Sequence, residues 1–335
     1  MQGAGCQVQR AGCYDATLVR IPFRIPARGA RPFDVVGVGQ NSIDLLAVVA
    51  EFPSSNSKQR LQRFARMPGG EIATALVTCA RFGWTARYIG SFGDDEFGAL
   101  SRDSLIDEGV DVSLARTVAG AANRFAIILV DARTGERTIL WDRDPRLSMA
   151  PDELSTEGVT AGRILIVDCH EPAVAARAAR LAHEAGVPTV IDVEKVRPGI
   201  TDLLQQIDAI IASEDFPAAL TGFEDPGRAI AAMAREFGAL LTCVTLGDEG
   251  SLAWCAGREI RTRPFQVDSV DTTGAGDVFR GAFLAACLRA PTGDVEDVLT
   301  YANAAAALSC RALGARAGIP RPEEVEQLLA ARPSP

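Results

Sequence analysis

Ile164-Leu-Ile-Val-Asp-Cys169, then Ala173-Val-Ala-Ala-Arg-Ala-Ala-Arg-Leu-Ala-His-Glu-Ala185, then Thr189-Val-Ile-Asp-Val193 is a short apolar run, an alanine-rich stretch with helical spacing, and a second short apolar run. Short runs of Ile, Leu and Val without polar alternation read as strands covered on both faces. The stretch between them is long enough to be a crossover helix. The same grammar continues with a strand at Ala209–Ala212, a helix at Ala229–Phe237 and a strand at Leu241–Leu246. Alternation of this kind predicts parallel strands joined by helices, hence an α/β fold with a doubly wound, mostly parallel sheet in an αβα sandwich.

Upstream, Phe33-Asp-Val-Val-Gly-Val-Gly39 reads as an entering strand and turn, Ala73 to Phe82 as a helix, and Arg87-Tyr-Ile-Gly-Ser-Phe-Gly93 as a strand running into a loop. Phe97 to Glu108 reads as a helix ended by Gly109. Two segments break the alternation. Arg124-Phe-Ala-Ile-Ile-Leu-Val-Asp131 and Glu136-Arg-Thr-Ile-Leu-Trp-Asp142 are strand-like and are joined by a turn at Ala132-Arg-Thr-Gly135, which is hairpin grammar. The expected organisation is one domain over residues 33–330, with a small β lid inserted as hairpins at about 45–66 and 115–142. Residues 1–32 carry Arg10, Arg20, Arg24, Arg28 and Arg31 against the single acid Asp15 and lack an apolar core for a secretory signal. They are expected to be a disordered extension; an organelle-targeting peptide or a start codon placed too early are the other readings.

The chain has 335 residues, 47% of them hydrophobic, and a formal net charge of -9. That size supports one sizeable α/β domain. The acidic balance argues against a nucleic-acid or membrane-surface partner, both of which need a basic face. Of the 34 basic residues only Lys58 and Lys195 are lysines, a composition that reads as genomic base bias. No apolar run reaches the roughly 18 residues of a membrane span. None of the 8 cysteines forms a CxxC pair, and most sit in apolar runs, so buried free thiols in a reducing cytoplasm are expected.

The chemistry concentrates in Val267-Asp-Ser-Val-Asp-Thr-Thr-Gly-Ala-Gly-Asp-Val-Phe-Arg-Gly-Ala-Phe283. A strand ends, a Gly-Ala-Gly turn follows, and an apolar helix begins at about Asp277. The first amides of a helix have no internal partner and sit at its positive end, and glycines let the backbone approach a ligand. Together they form an anion hole suited to a phosphoryl group. A carboxylate there repels a simple phosphate, but it makes sense as the acceptor of a proton from an attacking hydroxyl. Taken alone, Asp277 is equally an acid favoured at a helix N-terminus.

Asp271-Thr-Thr-Gly-Ala-Gly-Asp-Val-Phe-Arg-Gly-Ala-Phe283 closely resembles the C-terminal signature of the PfkB or ribokinase family of sugar kinases. Other segments are similar to the family's in order and spacing: Gly37-Val-Gly-Gln-Asn-Ser-Ile-Asp44, Gly69-Gly70, Gly90-Ser-Phe-Gly-Asp-Asp-Glu-Phe-Gly98, Val244-Thr-Leu-Gly-Asp-Glu-Gly250 and Gly314-Ala-Arg-Ala-Gly-Ile-Pro320. The likeness spans about residues 33–330, and the P-loop pattern GxxxxGK[ST] is absent.

The resemblance implies a ribokinase-like kinase that uses ATP with Mg2+, and K+ as a monovalent cation. By likeness, Asp277 is the base and the amides of Gly274, Ala275 and Gly276 stabilise the transition state. Asn41, Asp44, Gly69, Gly70, Glu71, Arg143 and His170 fall on the substrate side. Thr245, Gly247, Gly250 and Asn303 fall on the nucleotide side, and Asp271 with Thr273 matches the cation position. Each has a plainer reading: a turn aspartate for Asp44, a strand-end turn for Gly247 and Gly250, an exposed helical asparagine for Asn303, a surface arginine for Arg143, a structural histidine for His170. With His183 too far along to pair with His170, no metal site is indicated.

Two departures stand out. Gly69-Gly70 continues as Glu71-Ile-Ala-Thr74 where the family often has Gly-Gly-Asn-x-x-Asn, and the family's Asn-x-x-Glu is replaced by Ser213-Glu-Asp-Phe216. Both are shared in spirit by ketohexokinase-like and sulfofructose-kinase-like branches. Glu71 adds negative charge near the expected sugar pocket, which favours a neutral sugar or an amine-bearing polyol. The leading expectation is phosphoryl transfer from ATP to a hydroxymethyl group of a sugar. A nucleoside or pseudouridine kinase and a sugar-sensing pseudokinase are the alternatives. The apolar Ile127-Ile-Leu-Val130 of the lid predicts a homodimer through the lid.

Overall fold

In the computed structural model, residues 18–134 and 136–331 are described. Gly135 of the hairpin turn, Cys6, Cys13 and Arg10 lie outside them. The alternating runs fold as eight strands of one sheet in the order β14-β13-β12-β11-β10-β9-β1-β4. Their ranges are β1 (Phe33–Val38), β4 (Ala86–Ile89), β9 (Gly162–Asp168), β10 (Thr189–Val193), β11 (Ala209–Ala212), β12 (Leu241–Thr245), β13 (Ser251–Cys255) and β14 (Arg258–Thr262). From β4 to β12 neighbours pair in parallel, and β13 and β14 add an antiparallel edge.

Side chains along these strands alternate between two apolar layers. Val35, Ile164, Ile166, Val190 and Ile211 pack on one side with α1 (Glu71–Arg81), α2 (Glu96–Asp107), α8 (Ala275–Arg289), α9 (Val295–Ser309) and α10 (Pro322–Ala330). Val36, Val38, Leu165, Val167, Ile191 and Ile210 pack on the other with α3 (Thr156–Val159), α4 (Pro172–Glu184), α5 (Ile200–Leu204), α6 (Asp215–Thr221) and α7 (Pro226–Phe237). Covered on both faces, the strands need apolar residues at every position, which is the pattern seen in Ile164–Val167. Chain order reverses at β1, with β4 on one side and β9 on the other, so a crevice opens beyond the carboxyl ends of β1 and β9.

The lid is a single four-stranded sheet, β3-β2-β7-β8. It comprises β2 (Ser42–Val49), β3 (Arg63–Gly69), β7 (Phe125–Asp131) and β8 (Arg137–Asp142). Its two antiparallel hairpins are joined by parallel pairing of β2 with β7, Ile43 opposite Phe125. The lid therefore differs from two hairpins at 45–66 and 115–142. It begins at Ser42, and its second part begins at Phe125, because β6 (Arg116–Val118) pairs with β5 (Ser91–Gly93) in a separate two-stranded sheet. The expected apolar patch also splits: Ile128 and Val130 point inward against Leu46 and Leu313.

The expectation of a disordered extension over residues 1–32 does not hold for residues 18–32. Val19, Ile21, Phe23 and Ile25 are buried in the core layer of α8 and α9. The Val19 carbonyl accepts from the Val295 amide at 2.8 Å, the Ile21 amide donates to the Gly293 carbonyl at 3.0 Å, and Arg163 Nε donates to the Pro26 carbonyl at 2.7 Å. No helix among the described residues is long and apolar enough to cross a membrane, and the six described cysteines are all buried free thiols.

Candidate active site

Gly274 caps α8 with φ 76°, a left-handed conformation that favours glycine. Any Cβ on it would lie 2.6 Å from the Cβ of Ala315, so the turn also needs a residue without a side chain to let the 314–316 loop close over it. Ala275, Gly276 and Asp277 form the first turn of α8. The Ala275 amide is already used, donating to the Thr272 carbonyl at 3.2 Å. That corrects the expectation of three ligand-facing amides: those of Gly274 and Gly276 have no partner among the described residues, and Ala275's does.

Beside them opens a cavity of about 400 Å³, walled by Phe265, Val267, Phe279, Ala306 and Cys310 and reached by Thr245, Gly247, Gly250 and Asn303. An apolar slot ending on free helix amides fits a purine nucleotide with its phosphates toward Gly276. Asn303 is buried rather than exposed. Its Nδ2 donates to Ser251 Oγ at 3.1 Å and Thr262 Oγ1 at 2.8 Å, fixing the β13–β14 edge against α9. Asp271 Oδ1 accepts from the Thr273 amide at 2.9 Å and from Thr273 Oγ1 at 2.7 Å, and its Oδ2 accepts from the Gly314 amide at 2.8 Å. The Asp271 carboxylate thus ties the anion-hole loop to the closing loop.

Asp277 faces away from this cavity toward a cluster of charged groups. Burial, Asp192 and Glu71 push its carboxyl well above the usual range, against the pull of Arg280. Its side chain has no hydrogen bond to the described residues. Arg280, one helical turn on, pairs with Asp192 Oδ1 at 2.8 Å with both side chains buried, and its Nη1 crowds the Cα side of Gly276. Burial lifts Asp192 to about 7 despite that arginine.

Across the crevice, Asp44 on β2 is buried, accepts from Ser42 Oγ at 3.1 Å, and is raised by desolvation against Arg124 and Arg316. A Cβ on Gly69 would strike Asp44 Oδ2 at 2.1 Å, so the glycine makes room for that carboxylate. Gly70, with φ 90°, starts α1. Arg316 of the closing loop is buried and donates to the Gly69 carbonyl at 2.6 Å, to Ser104 Oγ and to Thr74 Oγ1, and desolvation lowers it to about 10. Glu71, first in α1, is raised to about 7 by burial and by Glu194, and its Oε1 lies 2.8 Å from His170 Nε2. Asp168, which accepts from the Gln40 and His170 amides, is raised to about 6 by burial and holds the ends of β1 and β9 together.

Two residues expected on the substrate side already have partners within the fold. Asn41 Nδ2 donates to Tyr88 OH and to the Ser91 carbonyl, both at 2.8 Å, and its Oδ1 accepts from Ser101 Oγ at 2.9 Å, so the amide is committed to bracing the loop. Arg143 is committed to Glu171 at 3.3 Å and Ser148 Oγ at 2.8 Å. The cation whose charge reaches Asp44, Glu71 and His170 is Arg124, whose Nε is buried without a partner. Sequence reasoning missed Arg124, Asp192, Glu194, Arg280 and Arg316. Arg280 had left a signal, a lone cation inside the apolar run Val278–Leu288, where a charge needs a buried partner.

Comparison with known proteins places the chain in one family. The model of the pfkB family carbohydrate kinase matches residues 33–322. The chain is 30% identical over 318 residues to fructokinase-1 of Oryza sativa subsp. japonica, covering 88% of this chain and 97% of that one. It is 30% identical to the ATP-dependent ribose-1-phosphate kinase of Halopiger xanaduensis over 89% of this chain and 98% of that one. The solved ribokinase of Arabidopsis thaliana, complexed with ribose and ATP, superposes with a TM-score of 0.78 at 26% identity, covering 89% of this chain and 98% of that one.

Proposed function

The chain belongs to the pfkB family of carbohydrate kinases, and from that premise we propose that it moves the γ-phosphoryl group of ATP to a hydroxymethyl group of a sugar or sugar-like polyol with Asp277 as the base. The observation that carries this reading is a carboxylate without a hydrogen-bond partner set one residue beyond the free amide of Gly276, between a nucleotide-sized cavity and the Asp44 side of the crevice. A raised carboxylate is a stronger proton acceptor, and the amides of Gly274 and Gly276 face the charge that grows on the transferring group. The substrate O–H gives its proton to Asp277, the oxygen bonds to the γ-phosphorus, the bond from that phosphorus to the bridging oxygen breaks, and ADP leaves. Asp44 and Arg124 hold the acceptor's hydroxyls, and Arg280 holds Asp192 in place beneath the base.

Mg2+ bound to the ATP phosphates would offset their charge beside the amides of Gly274 and Gly276. K+ at Asp271 and Thr273 would offset the Asp271 carboxylate, whose Oδ2 has the Gly314 amide as its one donor among the described residues. The exposed outer face of the lid pairs with a second copy, giving a homodimer, and the site works in the cytoplasm. A pure sugar sensor has no use for an unpartnered base at an anion hole, which favours turnover.

The deciding experiment is ADP release across a panel of sugars and nucleosides, with K+ or Na+ as the only monovalent cation. Turnover on a sugar that stops in Asp277→Asn supports the reading. Turnover confined to nucleosides would replace it, and a faster rate in K+ than in Na+ would support the cation assignment.

A further inference from the structure

Between the start of α1 and the carboxyl ends of β9 and β10 lies a group of side chains that phosphoryl transfer itself does not use. Glu71, His170 and Glu194 each present a polar atom, and these atoms all lie within 4.8 Å of one another. Arg197 Nη2 can only donate, so its 3.2 Å contact makes His170 Nδ1 an acceptor and leaves the ring proton on Nε2. That Nε2–H donates to Glu71 Oε1 at 2.8 Å. Glu71 Oε2 is then left shut off from solvent with no hydrogen-bond partner among the described residues, an arrangement that folds avoid unless a water or a ligand brings the donor.

The charge around this oxygen points to the ligand's sign. The acids that feel one another are Asp44, Glu71, Asp168, Asp192, Glu194 and Asp277; the cations are Arg124, Arg197, Arg280 and Arg316. Arg280 is taken by Asp192 at 2.8 Å. Arg316 is turned to the Gly69 carbonyl. Arg197, bonded to His170, stands 3.8 Å from Glu194. With His170 neutral, acids outnumber cations. An anion would add to the excess, and a hydroxyl would bring a donor without relieving it. A protonated amine brings three donors and a positive charge. Arg124 Nε and Arg197 Nε, both buried without partners, remain as donors for the oxygens of a polyol. A metal ion fits poorly, since ligation through His170 Nε2 would move the ring proton to Nδ1, against the N–H of Arg197.

We propose that the acceptor is a polyol bearing a protonated primary amine, seated against Glu71 Oε2 and Glu194 with its hydroxymethyl group toward Asp277. This rests on the kinase reading of the same site and gives it a substrate class. The amine stays protonated throughout and takes no part in the transfer.

The test uses the full chain and matched pairs that differ in one group: fructose with 1-amino-1-deoxyfructose, and glucose with glucosamine, all at pH 7. Fructose 1-phosphate and gluconate are the anionic members. ADP release gives kcat/KM, and calorimetry with a non-hydrolysable ATP analogue gives binding. The expected result is a preference of about tenfold or more for the amine within at least one pair, the scale of a buried hydrogen bond to a charged group. Glu71→Gln and, separately, Glu194→Gln should shrink that ratio, a quantity that partial misfolding or a general loss of turnover does not move. Equal kcat/KM within both pairs, or preference for an anionic member, overturns the amine assignment and leaves the kinase reading standing. A panel with neither turnover nor calorimetric binding of any amine also overturns it. Binding of an amine without turnover keeps this assignment and counts against the kinase reading instead.

Discussion

A base at Asp277, as proposed, has to be basic enough to take a proton and still be ionised when substrate arrives. Burial and the acidic neighbours Asp192, Glu71 and Asp44 raise it, and Arg280 restrains the rise. If it is the base, Asp277→Asn lowers kcat by about 10²–10⁴. Nucleotide affinity measured by calorimetry should stay within a few-fold, because the cavity walls and the amides of Gly274 and Gly276 are untouched. A variant that retains kcat would move the base to another carboxylate, with Asp192 the first to examine. Arg280 is the restraint's other half. Its pair with Asp192 is buried on both sides, so Arg280→Met leaves an acid enclosed without its cation and should cost about 3–5 kcal/mol in urea unfolding. Asp192→Asn combined with Arg280→Met should recover much of that loss, because the burden is the lone charge rather than the missing bond. Arg316 obeys the same logic from a loop. Neither partnership is visible in the sequence, since Asp192 is 88 positions from Arg280 and Gly69 is 247 from Arg316, and nothing local encodes such pairings.

The elements that were legible are those with a local code. Ile164–Val167 and Thr189–Val193 announce themselves because a strand covered on both faces cannot afford polar alternation. The start of α8 is legible because the left-handed backbone of Gly274, with φ 76°, demands a glycine. The lid was legible as hairpins and illegible as a sheet. Its β2–β7 pairing joins Ile43 to Phe125, and no turn signal connects them. The amino-terminal strap shows the opposite failure. Leu18-Val-Arg-Ile-Pro-Phe-Arg-Ile-Pro26 alternates apolar with arginine or proline, a half-buried extended pattern, although its arginines and prolines also give it the composition of a disordered arm. The buried Val19, Ile21, Phe23 and Ile25 are that pattern realised. Phe23→Ala should therefore destabilise the protein by about 3 kcal/mol, read from urea unfolding, with kcat unchanged. A loss below about 0.5 kcal/mol, the scale of ordinary surface changes, would mean that the strap merely lies on the surface.

For the molecule as a whole, the site's acids set a pH dependence. Glu71 and Asp192 are raised to about 7 and Asp168 to about 6, from ordinary carboxylate values. Between about pH 4.5 and 7 the folded protein therefore binds more protons than the unfolded chain, and stability must fall as pH rises through that window. His183, raised by Asp208, acts in the same direction near its upper end; His170, lowered by burial, opposes it just below the ordinary histidine value but is one group against the several raised acids, and the lowered Asp34, Glu108 and Asp111 act only below the ordinary carboxylate range. The ligand-free protein should melt a few degrees higher at pH 5.5 than at 7.5, and a rise in Tm with pH would contradict the buried-acid picture.

The lid carries the face on which the proposed homodimer rests. Residues opposite one another on paired strands share a face. Ile127 lies opposite Leu45 and Leu140, and Leu129 and Phe64 both lie opposite Ala47, so these residues form one apolar surface turned away from the inward Ile128 and Val130. Phe64 is 60% exposed and Leu140 55%, more than a lone soluble lid leaves uncovered without reason. A second copy lying against this surface would cover both and tie closure of one lid to the other. Sedimentation of the wild type should give a dimer, and Phe64→Glu with Leu140→Glu should give monomers with a higher KM for the acceptor, because an unpaired lid closes less firmly. Wild-type protein that sediments as a monomer would leave the exposed face without a partner and end the dimer proposal.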